Sequence, residues 1–199
     1  MRILLALVAV LLSFSFTSTA SAKMERYHFD KKHTQILFFV DHLGFSKSQG
    51  EFLKYDGYFT FDPENVEAST VTLTIKSSSI DMDDTEWDDH MKNHDFMNIT
   101  KFPEMTFTST KVTKTGDKTG TLTGDLTLLG VTKPVTLNVT YNKSGIHPFS
   151  KRYVSGFSAT GSVKRSEFGM NYGLPMIGDD VALRIEVEGF REENTPKNK

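Results

Sequence analysis

Apolar and polar residues alternate with a period of two through most of the chain. Val71, Leu73 and Ile75 interleave with Thr70, Thr72 and Thr74. Val135, Leu137, Val139 and Tyr141 interleave with Thr136, Asn138 and Thr140. Val181, Leu183, Ile185 and Val187 interleave with Ala182, Arg184 and Glu186. Such alternation gives a strand one apolar and one wet face. Weaker versions cover residues 57–61, the stretch around Met105 and Phe107, residues 121–129 and residues 153–164. Residues 35–42 are apolar on both sides, with Ile36, Phe38 and Val40 on one face and Leu37 and Phe39 on the other. The pattern predicts eight strands, separated by turn signals at 114–120, 130–134 and 142–145.

One segment breaks this rhythm. Residues 84–97 have helix chemistry, with Thr85 as the expected cap, Asp88 three residues on, and Trp87, Met91 and His94 on one stripe. Pro103 then leads into the Met105 strand. Eight sequential antiparallel strands must cover their edges. Closing into a barrel does so, and a β-sandwich is the competing arrangement. Gly124, Gly156 and Gly161 fall inside predicted strands, where they mark bends of a barrel wall.

The N-terminus changes the picture of location. Arg2 precedes an unbroken apolar run over residues 3–12, and Ala20-Ser21-Ala22 is a small-x-small cleavage signal. A cleaved secretory signal at 1–22 is expected, with a mature N-terminus at Lys23. The expected domain is 23–190, followed by a polar tail at 191–199. Removing 1–22 takes away Arg2 and leaves 22 basic against 25 acidic residues, a charge of −3. There is no basic excess for nucleic acid, and no second apolar run long enough to span a bilayer as a helix. The chain has no Cys, which excludes disulfides, a thiol nucleophile and a lipidated cysteine. A bacterial periplasm fits best.

The candidate chemistry is mostly apolar. The chain carries 16 Phe, and Phe38, Phe59, Phe61, Phe107 and Phe157 share the inward parity. A packed core and an apolar cavity are both open on this pattern. Small residues on the same faces, Gly124, Ala159 and Gly161, argue for spare volume. Residues 165–180 form a long connection rich in Phe, Met, Gly and Pro, readable as a plug or as a pliable lip over a barrel end. His90 and His94 have a metal-compatible spacing, but Met91 stands where zinc proteases carry Glu, so no metal is expected. The acidic run from Asp81 to Asp89 reads as helix N-terminal chemistry and lacks the glycine and closing glutamate of a calcium loop. No nucleophile elbow or phosphate loop is present.

Four blocks carry a resemblance to a known family. In residues 30–52 a strand ends in His42-x-Gly44 and Gly50-x-Phe52 follows. Residues 89–107 hold the helix, the Asp95-Phe96 step and Pro103. Residues 124–135 (GDLTLLGVTKPV) are the most specific block. Residues 161–169 contain Arg165-Ser166-x-Phe168-Gly169. Together they resemble the YceI-like family of periplasmic polyisoprenoid-binding proteins over nearly all of the mature chain. Asp88 stands where that family commonly has Arg, and Met97 where a second aromatic is common.

The resemblance implies an all-β, eight-stranded antiparallel lipocalin-like barrel with a short α-helix near the cavity mouth. It implies a bound isoprenoid lipid, a polyprenyl chain or isoprenoid quinone, and no other cofactor. On that reading Phe38, Val40, Phe59, Phe107 and Phe157 are wall residues. Trp87, Met91, Phe96, Phe168 and Tyr172 are mouth residues, and His42, His94 and Arg165 are polar contacts for the head group. A homodimer and a transient contact with a membrane or lipid donor are further expectations. Three alternatives stay open: an enzyme in the same barrel using His42 with His90 or His94, a ligand-free stress-protective protein, and, least favoured, an outer-membrane barrel.

Overall fold

The computed structural model describes residues 24–193. The signal segment, the Lys23 N-terminus and the last residues of the expected tail lie outside that range. The elements in chain order are β1 (Glu25–Phe29), β2 (Gln35–His42), β3 (Ser46–Phe52), β4 (Tyr55–Phe61), β5 (Thr70–Lys76), β6 (Ile80–Asp81), α1 (Thr85–Lys92), β7 (Glu104–Lys114), β8 (Thr119–Leu128), β9 (Val131–Ile146), β10 (Tyr153–Lys164) and β11 (Ile177–Arg191).

These strands form one continuous antiparallel sheet that closes on itself, because β11 pairs with β1 near its end and with β2 along its start. The first six strands are three interrupted staves. β1 continues into β2 along β11, β3 into β4 along that pair, and β5 into β6 along the next. With β7 to β11 this makes an eight-stave, up-and-down barrel, and the sandwich alternative falls away.

The three interruptions sit at one level and are stitched together. The Tyr55 hydroxyl donates to the Thr34 carbonyl at 2.8 Å, and the backbone N–H groups of Leu53 and Lys54 donate to the carbonyl and the hydroxyl of Ser79, each at 3.0 Å. Thr34 Oγ1 and Asp30 N both donate to the Glu188 carbonyl, at 3.0 and 2.8 Å. Each break therefore keeps its backbone groups satisfied while the wall bends.

Five boundary details differ from the sequence expectation. Asp84, not Thr85, caps α1: its carboxylate accepts from Trp87 N at 2.9 Å. The helix stops at Lys92, short of the expected residue 97. Residues 142–145 are strand, since β9 runs to Ile146. Pro134 also lies in β9, where β10 pairs only from Asn138 onward, so its missing N–H leaves no partner unserved on that side. The β8–β9 connection is the two-residue turn Leu129-Gly130, both with positive φ (51° and 74°). At the other end Arg191 belongs to β11, its guanidinium donating to Glu25 Oε2 at 2.9 Å.

Candidate functional site

The inward faces of the staves do not meet. They enclose a channel of about 650 Å³ that follows the barrel from the α1 end to the β7–β8 hairpin. That volume lies within the range of sites for drug-sized ligands. Inward positions of β11 show the channel directly: Val181, Leu183 and Ile185 are half-buried while Ala182 and Arg184 between them face solvent. An inward aliphatic residue keeps accessible surface only if the space in front of it is empty.

How the channel stays open corrects one expectation. Gly124 and Gly161 do not leave spare volume, because a methyl group at Gly124 would overlap the Phe107 ring and one at Gly161 would meet Leu137 Cδ2 at 2.6 Å. Gly50, directly across from Phe38 in the β2–β3 register, does the same for the Phe38 ring. The glycines are seats in the wall. Phe38, Phe107 and Leu137 occupy the space that a side chain would take at these three positions.

All five expected wall residues, Phe38, Val40, Phe59, Phe107 and Phe157, line the channel. Phe59 and Phe157 meet edge to face at 5.5 Å, and Tyr27 stacks behind Phe59 at 5.0 Å. This second aromatic cluster narrows the barrel end opposite α1 on its β1 and β11 side. Many lining residues are aliphatic, such as Leu73, Leu122 and Ile185. Their alternation signalled an inward face without distinguishing lumen from core.

At the α1 end His42, Trp87, Met91, Phe96 and Tyr172 line the channel. His42 and Trp87 meet edge to face with ring centroids 6.0 Å apart. His90 contacts Phe96 at 5.0 Å and Tyr172 at 5.4 Å, again edge to face, and Phe96 and Tyr172 are 5.2 Å apart. Ring edges therefore point at ring faces around the opening, an arrangement favoured by the ring quadrupoles. His90 is a lining residue that the sequence reading considered only as a metal ligand or alternative catalyst.

One expected mouth residue, Phe168, and two expected head-group contacts, His94 and Arg165, sit differently. His94 lies beyond the end of α1, 82% exposed, against Asp95 Oδ1 at 3.2 Å and away from the channel. Ending the helix at Lys92 removes the shared face that its spacing with His90 required. Phe168 is fully buried in the main hydrophobic cluster and does not line the channel. Arg165 does border the channel, but four of its five N–H donors are engaged: Nε donates to the Gly178 carbonyl at 2.8 Å, Nη1 to Met170 and Tyr172 at 3.1 and 2.8 Å, and Nη2 to Ile177 at 2.9 Å. Burial lowers its pKa, offset in part by Asp179. Arg165 ties down the lip between β10 and β11, and most of its donors are spent there.

Among the described residues, Asp30, His33 and Glu188 are brought close enough to hold a metal ion, at the first stave interruption and outside the channel. Asp30 Oδ2 and His33 Nδ1 already bond each other at 2.6 Å. His33 is raised above the usual histidine range by that hydrogen bond and by the Asp30 charge. Burial pushes the Asp30 carboxyl up, but its bonds to His33 and to Lys32 N outweigh this and leave it lowered.

A closed eight-stave barrel with an apolar lumen and an aromatic opening is an architecture that can hold one small apolar ligand. The chain belongs to the YceI-like family, whose domain model matches residues 27–189. It is 41% identical over 189 residues to the protein YceI of Salmonella agona, covering 92% of this chain and 98% of that one. Among solved structures, a YceI protein of Campylobacter jejuni aligns with a TM-score of 0.68 at 33% identity, over 77% of this chain and 90% of the other. A polyisoprenoid binding domain from Saccharophagus degradans shares the fold at 11% identity, with a TM-score of 0.60 over 85% and 100% of the two chains. Family membership makes this a periplasmic-type, secreted barrel protein and supports a binding role over catalysis. No helix among the described residues is long and apolar enough to cross a membrane.

Proposed function

We propose that the protein binds an isoprenoid-type lipid, a polyprenyl chain or an isoprenoid quinone, in its lumen and serves as a periplasmic carrier or store. The observation that carries this reading is the continuous apolar channel of about 650 Å³. Each apolar Å² withdrawn from water contributes about 25 cal/mol, so a sheathed hydrocarbon tail is held without any directed bond. Polar lining residues mark both ends, with Asp41, His42, Ser48 and His90 at one and Lys114, Lys118 and Thr119 at the other. The tail lies along Phe38, Val40, Phe59, Phe107 and Phe157. The head group sits among His42, Trp87, His90, Phe96 and Tyr172, where ring edges suit a planar ring. The Saccharophagus relative, a polyisoprenoid binding domain by name, supports this ligand class.

The test is native mass spectrometry of protein purified from a periplasmic fraction, followed by lipid extraction. The expected result is one isoprenoid lipid per barrel and an N-terminus at Lys23 after loss of 1–22. Protein recovered with an empty lumen that takes up no added isoprenoid quinone would overturn the ligand assignment.

A further inference from the structure

The exposed apolar residues are not scattered. Of eight large apolar side chains exposed among the described residues, five lie at the channel's α1 end: Leu43, Phe45, Trp87, Tyr172 and Met176. They come from three segments. Leu43 and Phe45 form the β2–β3 turn, whose backbone passes through positive φ at Leu43 (58°) and Gly44 (74°). Leu43 N donates to the Met176 carbonyl at 3.1 Å, which ties that turn to the lip. Trp87 joins them through His42. Phe45 is 89% exposed and Met176 66%, and neither lines the channel. Packing and the lumen therefore leave both side chains without a role.

We propose that this face docks on the surface of an uncharged, zwitterionic bilayer and places the channel opening against the lipid. The proposal rests on the lumen being a lipid site, because a water-insoluble cargo has its reservoir in a bilayer. Phe45, at the tip of a narrow turn, suits insertion among acyl chains better than burial against a flat protein face. Trp87 and Tyr172 carry an apolar ring with a polar atom, the chemistry of the headgroup layer. Peripheral contacts of this kind enter by about 5–10 Å.

Charge selects among surfaces. Asp83, Asp84, Glu86 and Asp89 are exposed at and beside α1, and Asp41 is exposed at the end of β2, with Lys47 opposite it. This acidic flank repels an anionic bilayer. It also opposes pairing of two copies through the same face, since like charges would meet.

The experiment uses vesicles of phosphatidylcholine free of isoprenoid lipid. The parent protein should co-float with them, and the emission of Trp87, the chain's single tryptophan, should shift to the blue. The double variant Phe45→Ser, Met176→Ser should partition about tenfold more weakly or less still, while its uptake of a water-soluble short-chain quinone matches the parent's. Vesicles containing phosphatidylglycerol should bind more weakly, and added salt should restore part of the difference. A parent that does not float, a double variant that floats equally well, or a preference for anionic vesicles that salt abolishes would each overturn the proposal. So would a parent dimer in sedimentation that the same two substitutions dissociate, because the face would then be a self-interface. Vesicle binding lost in the double variant, without quinone uptake by the parent, would support the docking face and overturn the lumen as a lipid site.

Discussion

At Gly50 a missing side chain decides where a ring goes. The atoms that an added methyl would displace are the tip of Phe38 and Met82 Sδ, all side chain, and both residues face the lumen. Gly50→Ala should therefore push Phe38 into the channel instead of breaking the wall. The expected outcome is weaker uptake of an isoprenoid analogue, with a loss of apo stability no larger than about 1–3 kcal/mol. Titration together with urea unfolding measures both, and unchanged uptake would show that the ring has other room. Arg165 acts on the backbone. Arg165→Met removes four donors from buried or half-buried carbonyls and should cost about 3 kcal/mol or more in urea unfolding. Arg165→Lys should recover little, because an ammonium lacks the planar fork that reaches four carbonyls at once. A loss under about 1 kcal/mol for the Met variant would mean that the lip holds itself.

At the scale of elements, the first stave interruption carries a charged clasp, Asp30 with His33, that should make stability depend on pH. His33 has its pKa raised by folding, so its contribution is full below about 6.5 and fades as pH rises through the raised value. Asp30 has its pKa lowered, so its contribution is present above about 3.9 and is lost as pH falls through the lowered value. Glu188 adds to the pull on His33, and Lys32 opposes it. The stability difference between the parent and His33→Gln should be greatest between about pH 4 and 6.5 and shrink toward pH 9. Urea midpoints across that range measure it, and a difference independent of pH would contradict the assignment.

The same interruptions explain what alternation could and could not show. Each of the eight expected strands falls on a different stave, because every stave turns an apolar face inward. β1, β3 and β6 lie outside those eight: Glu25–Phe29 offers only Tyr27 and Phe29, Ser46–Phe52 is polar at nearly every position, and two residues of β6 carry no period. Parity found the wall from Phe38, Phe59, Phe107 and Phe157. Pattern alone does not separate the buried Phe168 of the 165–180 connection from a mouth residue, nor show that α1 stops before His94. Both depend on how the lip and the turn after α1 settle in three dimensions.

For the whole molecule, the central claim is that the space inside the barrel is a binding site and not a loosely packed core. Ala159 decides it. The residue lies on β10 between Val139 and Ile185, faces the channel midway along the barrel, and has a small side chain. Ala159→Phe places a ring across the lumen without touching either end. In a filled interior the change would overpack the core, at a cost of about 1–3 kcal/mol or more. The direct measurement is quenching of Trp87 emission as a short-chain isoprenoid quinone is titrated into the parent and into Ala159→Phe, with the unfolding midpoint of each apo protein recorded alongside. The expected result is saturable one-to-one quenching in the parent, binding about tenfold weaker or absent in the variant, and nearly equal apo midpoints. A variant that is strongly destabilised, or one that folds and binds the quinone as the parent does, would contradict it.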